Sequence, residues 1–170
     1  MKNSNNFQNH SLILTIDINV VSPRGVINFF VVHNDQMNYK NILSSGNYVA
    51  KMALNIKHNN VLKIGIRGKR VVKDLITKTN IVSNDKYVEI NSLKINEIDL
   101  LADREFFNRH FEYYNCDEKR YTDVQPGFWS NAEIILKYPV EFEAWYLDKK
   151  NQNWRLWFAN TNMLQKPYKL

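Results

Sequence analysis

The chain alternates apolar and polar residues with the period of a β-strand over most of its first hundred positions. From residue 11, Leu12, Leu14, Ile16, Ile18 and Val20 point one way, while Thr15, Asp17 and Asn19 point the other. Strand side chains alternate between faces, so this run predicts a strand with one buried and one wet side. Ser22-Pro23-Arg24-Gly25 reads as a turn with proline at its second position, and Val26 to His33 as the next strand. The two are expected to form a hairpin. Phe29-Phe30-Val31-Val32 is apolar on both faces, which predicts a strand covered on both sides. Residues 34–46 are polar and end in Ser44-Ser45-Gly46, so they read as a loop. Tyr48 to Ile56 and Leu62 to Ile66 then alternate cleanly around His58-Asn59-Asn60, the clearest hairpin pattern in the sequence. Leu75 to Ile81 reads as a further strand.

Lys86 to Leu100 is the stretch on which the expected fold turns. Val88 and Ile90 share one parity, Leu93 and Ile95 take the other, and Ile98 and Leu100 return to the first. Each change of phase requires a bulge, a bend or a turn. We expect a strand to near Asn91, a bent continuation through Ile95, and a turn at Asn96-Glu97. Beyond Leu100 the pattern mixes. Residues 100–114 fit a short helix or an insertion between strands. Ala132 to Tyr138 forms a late strand, and Pro139 opens a short helix with Phe142, Trp145 and Tyr146 inward. Trp154 to Phe158 reads as a last aromatic strand. The fold class is therefore all-β, an antiparallel jelly-roll-like β-sandwich with one or two short helices. It spans residues 11–165 as a single domain behind a flexible tail at 1–10.

Composition changes the picture in three places. With 5 Gly and 4 Pro in 170 residues, turns must lean on asparagine, and Asn34-Asp35, Asn59-Asn60 and Asn84-Asp85 sit where turns are needed. The single Cys116 excludes an internal disulfide and an all-cysteine zinc site. No apolar run has the length of a membrane span or a secretory leader, so no membrane partner is expected. The formal net charge is +6, and the surplus lies before residue 101, because residues 101–170 are balanced. Lys63, Arg67, Lys69, Arg70 and Lys73 form a basic tract that could take nucleic acid, the alternative function; the expected location is a virion, with the cytoplasm as the alternative.

Catalytic signatures are missing: there is no glycine-rich phosphate loop, no HExxH and no nucleophile elbow. Cys116 could pair with His10, His33, His58 or His110, but Asp117-Glu118 beside it raise a thiol pKa. Glu141 and Glu143 read as a solvated face. Asp99, Asp103 and Glu105, or Asp117, Glu118 and Asp123, could offer oxygens to Ca²⁺, but their spacing matches no EF-hand loop. The expectation is no enzyme, no metal and no cofactor.

The aromatic residues carry the functional reading. Trp129, Trp145, Trp154 and Trp157 all fall in the last 42 residues. Trp145 and Trp157 suit a core. Tyr121 and Trp129 flank Gln125-Pro126-Gly127 and are harder to bury together. An exposed aromatic beside amides and carboxylates can stack a sugar ring and hydrogen-bond its hydroxyls, so Tyr121, Trp129, Asn131 and Trp154 are the candidate ligand-binding residues. The same residues could stack a base or anchor a protein partner.

The order KYVEI, SLKINEIDL, an aromatic insertion and GFWSNAEIILKYPVEFEAW, from about Val61 to Trp145, resembles small phage-encoded and bacterial proteins of carbohydrate-binding-module-like β-sandwich type. Glu97 stands where that pattern has a turn glycine after Ile95-Asn96. The resemblance implies a jelly-roll sandwich. It also implies a non-catalytic binding or structural module associated with a virion, with shell proteins, glycan or further copies of itself as partners.

Overall fold

The computed structural model describes residues 11–23, 25–69 and 86–152. The expected tail at 1–10, the strand at 75–81 and the aromatic strand at 154–158 lie outside them. The described residues form two antiparallel sheets packed face to face. One contains β1 (Ser11–Val21), β4 (Gly46–Asn55), β6 (Tyr87–Ile95), β7 (Ile98–Asp99) and β10 (Gly127–Phe128), in the order β10-β6-β1-β4 with β7 also on β6. The other contains β2 (Ile27–His33), β3 (Gln36–Leu43), β5 (Asn59–Arg67), β8 (Phe111–Asn115), β9 (Arg120–Thr122) and β11 (Ala132–Pro139), in the order β3-β2-β5-β11-β8-β9. We call them the five- and six-stranded sheets. The all-β sandwich with two short helices is the architecture that the alternation predicts.

The core is the sum of the two inward-facing rows. Leu14, Ile16, Ile18 and Val20 of β1 meet Phe29, Val31, Leu62, Ile64 and Leu136 across the sandwich, all essentially buried. Burial of this apolar surface is the main driving force for the fold. Two helices close one end. Helix α1 (Arg104–His110) starts at Asp103, whose side chain accepts from the Phe106 amide at 3.0 Å. Helix α2 (residues 142–152) sets Phe142 and Tyr146 on one face, four apart, against Phe106 and Tyr138. Trp145 is half-buried against Phe106 and His110. Pro139 ends β11 instead of opening α2.

The change of phase in β6 is a bulge. Ile18 pairs with Ile90 but Asp17 pairs with Ser92, which leaves Asn91 as the extra residue. That one insertion keeps Val88, Ile90, Leu93 and Ile95 all inward. Asn96 then turns the chain at φ 52°, and its side chain accepts from the Ile13 amide at 2.9 Å. Glu97 follows at the place of the missing glycine, because Asn96 itself takes the left-handed angle.

Two expected pairings and one expected loop are corrected. β1 and β2 do not form a hairpin: β1 pairs with β4 and β6, and β2 with β3 and β5. β4 and β5 do not pair either, and the chain crosses from one sheet to the other at residues 56–58. Alternation marks which face of a strand is buried, and a hairpin turn and a corner between sheets leave the same mark. Asn60 makes this corner: buried, it accepts from the Lys57 amide at 2.8 Å and donates to the Lys57 carbonyl at 2.8 Å. Residues 34–46 are mostly strand β3 and not a loop. β3 is an edge strand with only Leu43 buried, so its sequence lacks an apolar stripe. The true hairpin is β2–β3, turned by Asn34 and Asp35 at φ 50° and 63°.

Candidate functional site

Trp129 is placed by the two-residue strand before it. Gly127 pairs with Glu89 and Phe128 with Val88. Phe128 is fully buried against the core, so alternation sends its neighbours Gly127 and Trp129 to the outer face of the five-stranded sheet. A Cβ at Gly127 would sit 2.7 Å from the Val88 carbonyl oxygen and 2.9 Å from Trp129 Cη2. The indole therefore lies over bare glycine backbone. Its plane is 14° from that of Tyr87, with centroids 6.2 Å apart, an offset stack. Trp129 keeps 41% of its surface exposed.

The chain after Trp129 is clasped. The Asn131 side chain accepts from the Lys69 amide at 2.9 Å and donates to the Lys69 carbonyl at 2.7 Å. Its amide nitrogen also donates to Asp117 Oδ1 at 2.8 Å, and its backbone N–H to Oδ2 at 3.0 Å. The Lys69 ammonium donates to the Trp129 carbonyl. Asn131, singled out as a ligand contact, thus ties three segments together beneath the tryptophan. It holds the platform and spends its amide doing so.

A polar row runs from this platform across the sheet. Gly127 stands opposite Glu89, Glu89 opposite Asn19, and Asn19 opposite Asn47. Asn19 Nδ2 donates to Glu89 Oε2 at 3.3 Å. In the next row, Asn91 Nδ2 donates to Asp17 Oδ1 at 3.4 Å, and Ser92 donates to Asp99 at 3.1 Å. The long contacts leave Glu89 and Asp17 with acceptor capacity to spare.

Tyr121 is elsewhere. It stands on edge strand β9 of the six-stranded sheet, 61% exposed and tilted against Tyr114 with centroids 5.2 Å apart. Two shallow depressions of about 480 and 360 Å³ share it, along with Glu112 and Lys137. Ion pairs lace that face: Lys137 with Glu112 at 2.7 Å, and Arg67 with Glu133. Tyr121 and Trp129 therefore project from different sheets and do not share a site. Trp154 lies outside the described residues, as do Arg70 and Lys73. Of the remaining basic tract, Lys63 is 3.8 Å from Asp35 and the Arg67 guanidinium lies 5.0 Å over Phe30.

Several of the residues weighed for chemistry have structural work. Cys116 donates weakly to the Tyr114 carbonyl, and its thiol is pushed up, first by burial and then by Glu133 and Asp117, against an opposing pull from Arg67. His33 bonds Tyr138, and His110 packs on Phe106 and Trp145. Asp103 caps α1, Glu105 pairs with Arg109, and Glu118 pairs with Arg120. Glu143 accepts from Asn96 at 2.8 Å. Among the described residues no three metal-ligating side chains converge, and no helix is long and apolar enough to cross a membrane.

No family model and no curated protein matches the chain. Two solved structures are similar. One is vCBM60 in complex with galactobiose, at TM-score 0.48 and 6% identity, covering 73% of this chain and 96% of that one. The other is the selenomethionine form of vCBM60, at TM-score 0.46 and 8% identity, covering 74% and 89%. It is described with circular permutation as a link between two families of calcium-dependent carbohydrate-binding modules.

Sequence reasoning passed over Tyr87, Glu89, Gly127 and Asn19. The signal was present in KYVEI: Tyr87 and Glu89 take the parity opposite to Val88 and Ile90, and so face out. That Trp129 would land beside them depended on β10 pairing with β6.

Proposed function

We propose that the protein is a non-catalytic glycan-binding module whose binding surface is centred on Trp129. One observation carries the reading: an indole 41% exposed that packs against the Gly127 backbone and stacks on Tyr87, with Glu89 and Asn19 next in the same cross-strand row. An apolar ring face plus directional hydrogen bonds at its edge suits a pyranose, which has an apolar C–H face and equatorial hydroxyls. Affinity electrophoresis through gels cast with soluble plant and microbial polysaccharides tests it. At least one polysaccharide should retard the wild type, and Trp129→Ala should lose about tenfold in affinity, the worth of one stacked ring. Equal mobility of the two proteins in every gel removes the reading. Retention on DNA that falls steeply with salt would favour the basic tract instead.

A second reading, attachment to a protein shell within a virion, is favoured by edge strand β3. It is eight residues long, has no proline, and exposes Met37 and Ile42 at 57% and 61%. Such an edge offers unpaired backbone groups to another chain. Sedimentation of the purified protein tests whether copies join through this edge: concentration-dependent assemblies that Ile42→Lys abolishes support it, and a monomer at all concentrations counts against it.

A further inference from the structure

Resting on that reading, we infer that the ligand is a neutral, linear oligosaccharide lying across the strands of the five-stranded sheet, from Trp129 over Glu89 and Asn19 toward Asn47.

Direction comes from the register. Gly127, Glu89, Asn19 and Asn47 are successive Cα partners on β10, β6, β1 and β4. They form one straight row perpendicular to the strands, with Trp129 folded over its first member. Strands lie about 4.8 Å apart, so three spacings give a track of roughly 14 Å. That is longer than one sugar ring, so rings beyond the stacked one meet hydrogen-bonding side chains and not apolar surface. The outer positions here are amides, which donate to and accept from hydroxyls, and carboxylates, which accept from them. Val49, 68% exposed opposite Asp17, offers an apolar contact at the far side.

Charge class comes from the carboxylates. Glu89 lies in the row, and Asp17 stands beside it, two residues along β1 from Asn19. Among the described residues, Lys94 and Lys51 sit opposite Thr15, four residues along β1 from Asn19, and the Lys69 ammonium is held by the Trp129 carbonyl, so neither Glu89 nor Asn19 has a cation as a cross-strand partner. A uronate or sulfate placed over Glu89 meets a like charge, whereas a hydroxyl meets an acceptor. The chain as a whole carries +6, which by itself would draw anionic glycans. The local row and the net charge therefore predict opposite selectivities, and the row is in contact with the ligand.

Matched neutral and anionic oligomers decide between them. The probes are linear β-1,4 oligosaccharides of glucose, xylose and mannose, from disaccharide to hexasaccharide, with β-1,4-mannuronate oligomers of the same lengths. Binding is read by isothermal titration with wild type, Trp129→Ala and Glu89→Gln. We expect a neutral series to bind the wild type, with affinity rising from the disaccharide to the tetrasaccharide, and the mannuronates to bind more weakly. Glu89→Gln should move the two classes in opposite directions: neutral affinity falls, and mannuronate affinity rises about fourfold, the effect of one charge at about 5 Å in water. Tighter mannuronate binding by the wild type, or affinity independent of length, overturns the inference. If Trp129→Ala still abolishes that binding, glycan recognition at the platform survives. If neither class binds, or Trp129→Ala binds as well as the wild type, the proposed function falls with it.

Discussion

Gly127→Ala puts the platform under direct test. The added Cβ would lie 2.7 Å from the Val88 carbonyl oxygen and 2.9 Å from the indole of Trp129. A carbon–oxygen contact relaxes at about 3.3 Å or beyond, so the strand must retreat by roughly 0.6 Å and the indole must lift. The carbonyl belongs to β6, which is locked between β1 and β10, so the two-residue β10 has to give. Its inward neighbour Phe128 is fully buried and moves with it. Overpacking of this kind costs about 1–3 kcal/mol, and the disturbed stack with Tyr87 adds up to about 1 kcal/mol. Urea denaturation should show a loss within about 1–4 kcal/mol. Acrylamide quenching, taken as the difference between each protein and its Trp129→Phe counterpart, should report a more accessible indole. Glycan affinity should drop with it, by about tenfold. A variant with the wild-type urea midpoint and unchanged quenching would show that the ring does not lie over the glycine.

Other outcomes follow from the same geometry. Trp129→Ala, at a half-exposed position, should cost under about 1.5 kcal/mol of stability while removing the stacking contact, so affinity and urea midpoint separate. Asn60→Ala removes the two 2.8 Å bonds that close the corner at Lys57, together with a 3.0 Å bond from Asn34, and should lower stability by about 2–3 kcal/mol without changing glycan affinity. His33 is held below its ordinary value of 6.5 by burial, with Lys57 adding to the effect, and His110 is lowered chiefly by burial too. Between the lowered folded value and 6.5 the unfolded chain binds protons that the folded chain does not. Stability is therefore full above 6.5 and falls as pH drops below it, and His33→Asn should flatten that fall in urea midpoints taken from pH 7.5 to 5. An unchanged slope in the variant would place the titration elsewhere.

The layered β architecture can be read from alternation alone, because a strand that buries one face must write that face in alternating apolar residues. β1, β6 and β11 are legible for this reason, and so is the bulge at Asn91, since an extra residue shifts the parity of everything after it. The inward set of α2, Phe142 and Tyr146, follows from spacing alone. Which strands pair was decided only by the tertiary structure. The segments flanking Pro23 and Asn60 alternate as a hairpin would, yet each crosses between sheets, because periodicity carries no term for the partner. Edge strand β3 is silent for a related reason: with little to bury on either side, it has no stripe to display. The site shows the same division. An unusual density of late aromatics was visible in the sequence, but Tyr121 and Trp129, eight residues apart, end on different sheets, while Tyr87 and Trp129, forty-two apart, end ring against ring. Chain distance is a poor guide across a sandwich, where long-range pairing of β10 with β6 sets what a tryptophan touches.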